Sequence, residues 1–399
     1  MDNKINKHFC IQPFVNTTTR IKGQNNVCCN INGFESTIDK ETPNSFFNSS
    51  RVREMRQKLL KGEKLKECSI CHYQEHLSNS SHRIEYNKYY NIKNNQTKEY
   101  YEKIVDKLKL TELKNPLYAE LHISNLCNLK CLSCNEYDSS KFHSENKTLG
   151  VSENINIDYS EFDDSKSNAL DSIIKKGLLF LDIRGGETLM VPEIKKILSA
   201  LDSDTAKTIT LKIQTNGTIV PDEQWIDIFK KFKRTKVNVS IDALGDDNHY
   251  VRFPSDWQKI IDTIDVLKNN DVAFIINTVV SNINLLLLDK LFEWIQENKY
   301  LNYFYILESP THFRPTNLPQ SLLDIAGKRL QNVKKDFANK ECHQKLDDLI
   351  EMCRSSGSTT HWKRFCEEIE MRDKHRKNSI IKVIPQMKEH MNAKIQRDQ

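Results

Sequence analysis

The chain has 399 residues, 38% of them hydrophobic and 28% charged, with a formal net charge of +5. That length and apolar content exclude a wholly disordered chain and suffice for a main domain with appendages. No run approaches the roughly 18 to 20 apolar residues that span a bilayer, and the opening MDNKINKHFC lacks the apolar core of a secretory signal, so a cytoplasmic protein without membrane association is expected.

The first 110 residues are rich in Asn, Lys and Cys, with one amphipathic stretch, RVREMRQKLLKGE. They read as a separate, metal-organised module. Cys10, Cys28, Cys68 and Cys71 supply four thiols, with Cys29 as an alternative to Cys28, because adjacent cysteines cannot easily ligate one centre together. In a reducing compartment such a set favours metal over disulfides. Zinc and an iron-sulfur cluster both accept four cysteines.

From about residue 117 to 308, β-rich runs alternate with amphipathic stretches, the pattern of parallel strands joined by crossover helices. Six strands are predicted: YAELHIS (118–124), LLFLDIR (178–184), TITLKIQT (208–215), KVNVSID (236–242), VAFIINTVV (272–280) and YFYILE (303–308). Between them PEIKKILSALD, DEQWIDIFKKF, SDWQKIIDTIDVLKNN and LLLLDKLFEWIQEN repeat apolar residues at helical spacing, with Asp222 and Ser255 as N-caps. Right-handed crossovers would roll these units into an open, partial barrel with functional loops at the C-terminal strand ends. The polar stretch 135–164 reads as a long loop or lid. Beyond Pro319 the chain reads as helices, in which Cys342, Cys353 and Cys366 are expected as buried free thiols. From Met371 onward eight Lys or Arg face three Asp or Glu, a basic tail to which no nucleic-acid role is assigned.

Directly after the first of these strands comes Cys127-Asn-Leu-Lys-Cys131-Leu-Ser-Cys134. A 4Fe-4S cubane usually takes four cysteines, so three leave one iron open to a ligand, whereas a closed zinc site needs four. Arg184-Gly185-Gly186-Glu187 follows the second strand, where glycine permits close backbone approach and Glu187 supplies an acceptor for a cation. Gln214-Thr215-Asn216-Gly217 and Ser240-Ile241-Asp242 follow the third and fourth strands, with Arg252 a little further on.

This C-x3-C-x2-C spacing and the order of the later motifs resemble the radical S-adenosylmethionine (SAM) superfamily over roughly residues 117–310. The resemblance implies an α/β fold, a partial (β/α)6 barrel. It also implies a 4Fe-4S cluster on Cys127, Cys131 and Cys134 whose open iron is chelated by the methionine moiety of SAM. Reductive cleavage would yield a 5'-deoxyadenosyl radical that abstracts hydrogen from substrate. Gly185, Gly186 and Glu187 correspond to the motif that meets the cofactor's ammonium group. Gln214, Asn216, Ser240 and Asp242 correspond to sites bonding its ribose and carboxylate, Arg252 is a candidate partner for the carboxylate, and residues 279–282 fall near the adenine.

The C-x12-G-x4-C spacing from Cys10 through Gly23 to Cys28 resembles the opening of SPASM and twitch modules, which carry auxiliary clusters and normally follow the barrel. Here the module precedes it. The organisation expected is therefore a twitch-like module (1–110), a barrel (111–310), a helical region (311–370) and a basic tail (371–399). The resemblance implies a peptide or protein substrate and an external electron donor such as flavodoxin or ferredoxin. Two alternatives stand beside it: the same chemistry on a small metabolite, sugar or nucleic acid with zinc at the N-terminal cysteines, and a non-catalytic, metal-stabilised binding protein.

Overall fold

The structure is a computed structural model. It describes residues 4–21, 23–31, 36–37, 41–78, 81–111, 113–122, 124–152, 171, 173–174, 177–336, 340–354 and 357–395. The chain divides into two compact units: Met1–Leu126, Asn156–Gln214 and Asp222–Lys236 form the first, and Cys127–Ile155, Thr215–Pro221 and Val237–Gln399 the second.

In the first unit the strands are β1 (Ile5–Asn6), β2 (Asn16–Thr19), β3 (Gln24–Asn26), β4 (Ser36–Thr37), β5 (Gln96–Thr97), β6 (Tyr118–His122), β7 (Phe180–Arg184) and β8 (Thr210–Thr215). β1 and β5 form a short antiparallel pair. The others follow the order β8-β7-β6-β2-β3-β4. β2, β6, β7 and β8 are parallel, and β3 is antiparallel to both β2 and β4.

Alternation along these strands separates two faces, because successive side chains of a strand point oppositely. Ala119, Leu181, Ile183, Leu211 and Ile213 are fully buried on one face. Tyr118, Glu120 and Asp182 lie on the other, in register with Phe180 and Lys212. The first 110 residues, read from sequence as a module apart, share this unit with β6–β8: Asn16–Thr19 pairs residue by residue with Tyr118–Leu121. The tetrapeptide NTTT is polar and wholly buried, so it carries no apolar alternation by which a strand is recognised.

The predicted amphipathic stretch near the start is the helix Ser50–Lys61, capped by the Ser49 side chain and closed by Gly62 at φ +81°. Its Val52, Met55 and Leu59 pack with Val27, Ile31, Phe46 and Cys10. Burial of each such aliphatic side chain contributes about 1.5–3 kcal/mol. Helices Pro192–Ala200 and Glu223–Lys231 follow β7 and β8, and Asp222 caps the latter as expected, accepting from the Trp225 N–H.

The second unit holds the end of β9 (Arg234–Ser240), then β10 (Ala273–Val280) and β11 (Asn302–Ile306), in the order β11-β10-β9. β10 and β11 are parallel. Helices Trp257–Asn269 and Leu288–Glu297 connect them. Asp256, not Ser255, caps the first, accepting from the Lys259 N–H, while the Ser255 hydroxyl accepts from Asn248 Nδ2 at 3.1 Å. A carboxylate one residue later competes better for the helix N–H groups.

The predicted loop 135–164 contains a helix, Ser140–Leu149, capped by Ser139 and ended by Gly150 at φ +69°. Residues 153–164 of that segment lie outside the described residues. The helix buries Phe142, His143, Glu145 and Asn146; His143 and Asn146 meet Glu136 nearby, while Arg372, far along the chain, donates to Glu145 and Asn146. The C-terminal region is helical as expected, over Gln320–Asp336, Lys340–Met352 and Thr359–Arg376. Cys353 and Cys366 are buried, while the Cys342 side chain lies outside the described residues. No described helix is long and apolar enough to cross a membrane.

Candidate metal and cofactor site

Cys127, Cys131 and Cys134 occupy the loop after β6 and gather around Leu129 in one apolar cluster. Burial pushes the Cys134 thiol well up, and Cys131, Asp138 and Cys127 add to the shift. Burial likewise raises the Cys131 thiol, while Arg252 and Arg376 pull it back. Such shifts mark thiols that a metal charge would have to ionise.

Among the described residues, no group of three or more His, Cys, Asp or Glu converges to hold a single ion.

The loop is shaped by its own backbone and by the following segments of the second unit. The Lys130 and Leu132 N–H groups donate to the carbonyls of Phe253 (2.5 Å) and Val251 (3.0 Å). The Leu129 N–H points at Cys127 Sγ at 3.5 Å. Asn216 Nδ2 lies 4.0 Å from the same sulfur and 2.8 Å from Asn128 Oδ1, and Asn128 in turn donates to Thr218 Oγ1 at 2.8 Å. Asn216, expected among the residues bonding the cofactor's ribose and carboxylate, stands beside the first cysteine of the loop.

Arg252 and Asp242 meet at 2.8 Å, and Asp242 also accepts from the Val279 N–H at 2.7 Å. Burial works against the Arg252 charge, but Cys131 and Asp242 outweigh it and raise its pKa. Its buried Nε has no partner among the described residues. Ser240 is buried at the end of β9.

In the first unit, the Gly185–Glu187 turn is stitched to the segment that leads into Cys127. The Gly186 N–H donates to Ser124 O at 2.8 Å and the Glu187 N–H to Leu126 O at 2.7 Å. A Cβ on Gly185, whose φ is +137°, would sit 2.3 Å from Ser124 O, and one on Gly186 would sit 2.3 Å from Leu126 O. The glycines are required here by backbone packing against residues 124–126. Gly186→Ala is therefore expected to destabilise the fold by about 3 kcal/mol, since backbone rather than a flexible side chain must yield. Denaturant titration against wild type checks this.

The fully buried Glu187 carboxylate accepts from the Leu189 N–H at 3.0 Å. Asn125, missed in the sequence reading, is also fully buried, and both its amide atoms are without a partner among the described residues. Buried polar groups are nearly always satisfied, so this side chain fits a bound polar group beside the glycine turn. Its only sequence signal is its place two residues before Cys127. Gln214 lies near the end of β8, half-buried.

The N-terminal thiols divide. Cys10, Cys28 and Cys68 share one cluster with Val27 and Leu65. Burial, then neighbouring Cys71, raises the Cys68 thiol to about 12. Cys28 feels Cys29, Cys10 and Cys71. Arg83, buried and bidentate to Glu75 at 2.8 Å, donates to Phe9 O at 2.9 Å, and Asn87 pins both sides of Cys10 through Phe9 O and the Ile11 N–H. Cys29 stands nearer other groups: after burial, Glu120 and Arg184 act most on its thiol, and its Sγ is 3.9 Å from His82 Nδ1.

A second feature invisible in the sequence holds the central loop. Glu145 Oε1 meets Lys130 Nζ at 3.0 Å and Arg376 Nε at 2.9 Å, and Oε2 meets Arg372 Nη1 at 2.9 Å. Arg376 also donates to Lys130 O at 2.7 Å, inside the cysteine loop. Arg372 and Arg376, the first arginines of the basic tail, are buried here.

Burial opposes the Glu145 charge, but Arg376 and Lys130 overcome it and hold its pKa at about 2, against an ordinary 4.5. A depressed carboxyl stabilises the fold above its unfolded pKa and loses that contribution as pH falls through the folded one. Unfolding free energy is thus expected to drop between about pH 4.5 and 2, and Glu145→Gln should flatten part of that limb. Equilibrium unfolding across this range measures it.

Residues 121–295 match the family model described as Radical SAM superfamily. Over 190 residues the chain is 27% identical to the AdoMet-dependent heme synthase of Methanosarcina barkeri, covering 46% of this chain and 48% of that protein. Over 139 residues it is 27% identical to the antilisterial bacteriocin subtilosin biosynthesis protein AlbA of Bacillus subtilis, covering 35% and 27% respectively. The solved structure of Streptococcus suis SuiB bound to precursor peptide SuiA aligns with 18% identity and a TM-score of 0.41, covering 70% of this chain and 62% of that one. The chain spans about half the length of these curated relatives, or less.

Proposed function

We propose that this chain, whose residues 121–295 match the Radical SAM superfamily model, is an enzyme that cleaves SAM reductively at a 4Fe-4S cluster held by Cys127, Cys131 and Cys134. The observation that carries the reading is the loop in which these three thiols cluster with Leu129, Cys131 and Cys127 both raising the Cys134 thiol. When bound, the cluster and SAM supply a 5'-deoxyadenosyl radical that takes a hydrogen atom from substrate.

The chain's own residues bind and orient. Glu187 and the Asn125 amide would hold the ammonium group of SAM, and Gly185 and Gly186 let the turn carrying Glu187 lie against residues 124–126. Arg252 would face the carboxylate through its free Nε, while Asp242 fixes its other end. Asn216 steadies Cys127, and Gln214 and Ser240 are the remaining candidates for the ribose. Arg252 and Arg376 place positive charge near Cys131, which favours the ionised thiolate the cluster requires.

A second cluster is proposed on Cys10, Cys28, Cys68 and Cys71, supported by the grouping of these thiols and by Cys29 lying nearer Glu120 and His82. The substrate proposed is a peptide or protein, supported by the likeness to AlbA, a bacteriocin biosynthesis protein, and by the twitch-like cysteine spacing. An external donor such as flavodoxin or ferredoxin would deliver the electron.

Iron, sulfide and zinc content of anaerobically reconstituted protein, together with 5'-deoxyadenosine formed from SAM and dithionite, tests the reading. About eight irons and product formation are expected. About four irons with zinc retained would make the N-terminal set a scaffold, and no iron or no 5'-deoxyadenosine would remove the enzyme reading.

A further inference from the structure

The polar face of the first unit's sheet extends beyond the barrel strands. Thr18 of β2 is in register with Glu120 of β6 on one side and with Asn26 of β3 on the other. Glu120 is in register with Asp182, and Asp182 with Lys212. Paired residues in adjacent strands share a face, and so do alternate residues of one strand. Asn16, Thr18, Asn26, Glu120, Asp182 and Lys212 therefore line one surface.

Charge on this face is matched internally. Glu120 meets His122 at 2.9 Å and Arg184 at 3.5 Å, and Asp182 meets Arg184 at 2.8 Å, Lys212 at 2.9 Å and Tyr118 Oη at 2.9 Å. The amides are not matched. Asn26 is 0% exposed, and neither its Nδ2 nor its Oδ1 has a partner among the described residues. Asn16 spends Nδ2 on Thr18 Oγ1 and Val27 O, leaving Oδ1 without one.

Orphaned amide atoms on a buried face call for an occupant. A carboxylate or phosphate would set its oxygens against two acceptor oxygens. A cation would find no uncommitted carboxylate. An extended peptide residue gives both Asn26 atoms a partner, its own C=O accepting from Nδ2 and its own N–H donating to Oδ1, and the next N–H is a donor for Asn16 Oδ1.

We propose that Asn16 and Asn26 form a binding site for a peptide backbone amide on the polar face of β2, β3 and β6. The site takes a residue pair from the N-terminal segment into substrate binding. This deepens the peptide-substrate reading and rests on it.

The test is saturation-transfer difference NMR on reconstituted holoprotein with N-acetylglycine N-methylamide, compared with N-acetylglycine methyl ester, which lacks one N–H donor. The amide is expected to give a signal and to bind roughly fivefold more tightly than the ester, the worth of one hydrogen bond. Asn26→Leu should lose the amide signal. Equal binding of amide and ester, no signal in wild type, or an unchanged signal in Asn26→Leu would overturn the site and leave the amides to ordered water. The amide-ester contrast uses wild-type protein, so it stands even if the variant misfolds. Formation of 5'-deoxyadenosine in the same wild-type sample judges the radical chemistry separately.

Discussion

Cys131→Ala is expected to bring 5'-deoxyadenosine formation to background and to remove the irons of the central site while leaving those of the N-terminal set. Cys131 sits between the other two thiols in sequence, is buried with them around Leu129, and is the one on which Arg252 and Arg376 act. With two protein thiolates left, the cluster would have two irons without a cysteine, and the single open position on which SAM chelation depends would be lost. The iron count should fall by about half, from about eight to about four per chain. Cys68→Ala is the matching control: iron falls similarly, but the central loop, in the other compact unit, keeps all three thiols. Quantified 5'-deoxyadenosine separates the two variants. Retained cleavage in Cys131→Ala would sink the assignment of the central loop.

The largest stability loss outside the cysteines is expected from Glu145→Ala, at about 3–5 kcal/mol, the range for leaving buried charges without their partner. Three cations converge on this one carboxylate, and two of them, Arg372 and Arg376, are themselves nearly inaccessible. An exposed pair such as Lys58–Glu54 would contribute about 0–1 kcal/mol, so its removal provides the comparison. Glu145→Gln keeps the shape and one acceptor and should cost less than alanine. Because Arg376 also holds the Lys130 carbonyl, Glu145→Ala should loosen the cysteine loop, read as faster loss of central iron to a chelator. An unfolding free energy within about 1 kcal/mol of wild type would show that the network contributes no more than a surface pair.

The amino-acid sequence by itself determined what depends on near neighbours. All six predicted strands of the α/β region occur, at 118–122, 180–184, 210–215, 234–240, 273–280 and 302–306, because alternation of β-branched and aromatic residues is a local property. The position of the three-cysteine loop after the first of them, the glycine turn after the second and the Asp222 cap are local in the same sense. Tertiary structure decided what depends on distant pairing. NTTT is a strand because Tyr118–Leu121 offers it an edge about a hundred residues later, and buried polar side chains give no periodic signal. Helix Ser140–Leu149 buries Glu145 because Arg372 and Arg376 arrive from more than 220 residues away. Arg252 finds Asp242, and Cys29 parts from Cys28, through charges that only the folded chain brings together. Hydrogen bonds and ion pairs act over a few ångströms in space whatever the separation in sequence, so the loop's thiols were legible and the residues that hold them were not.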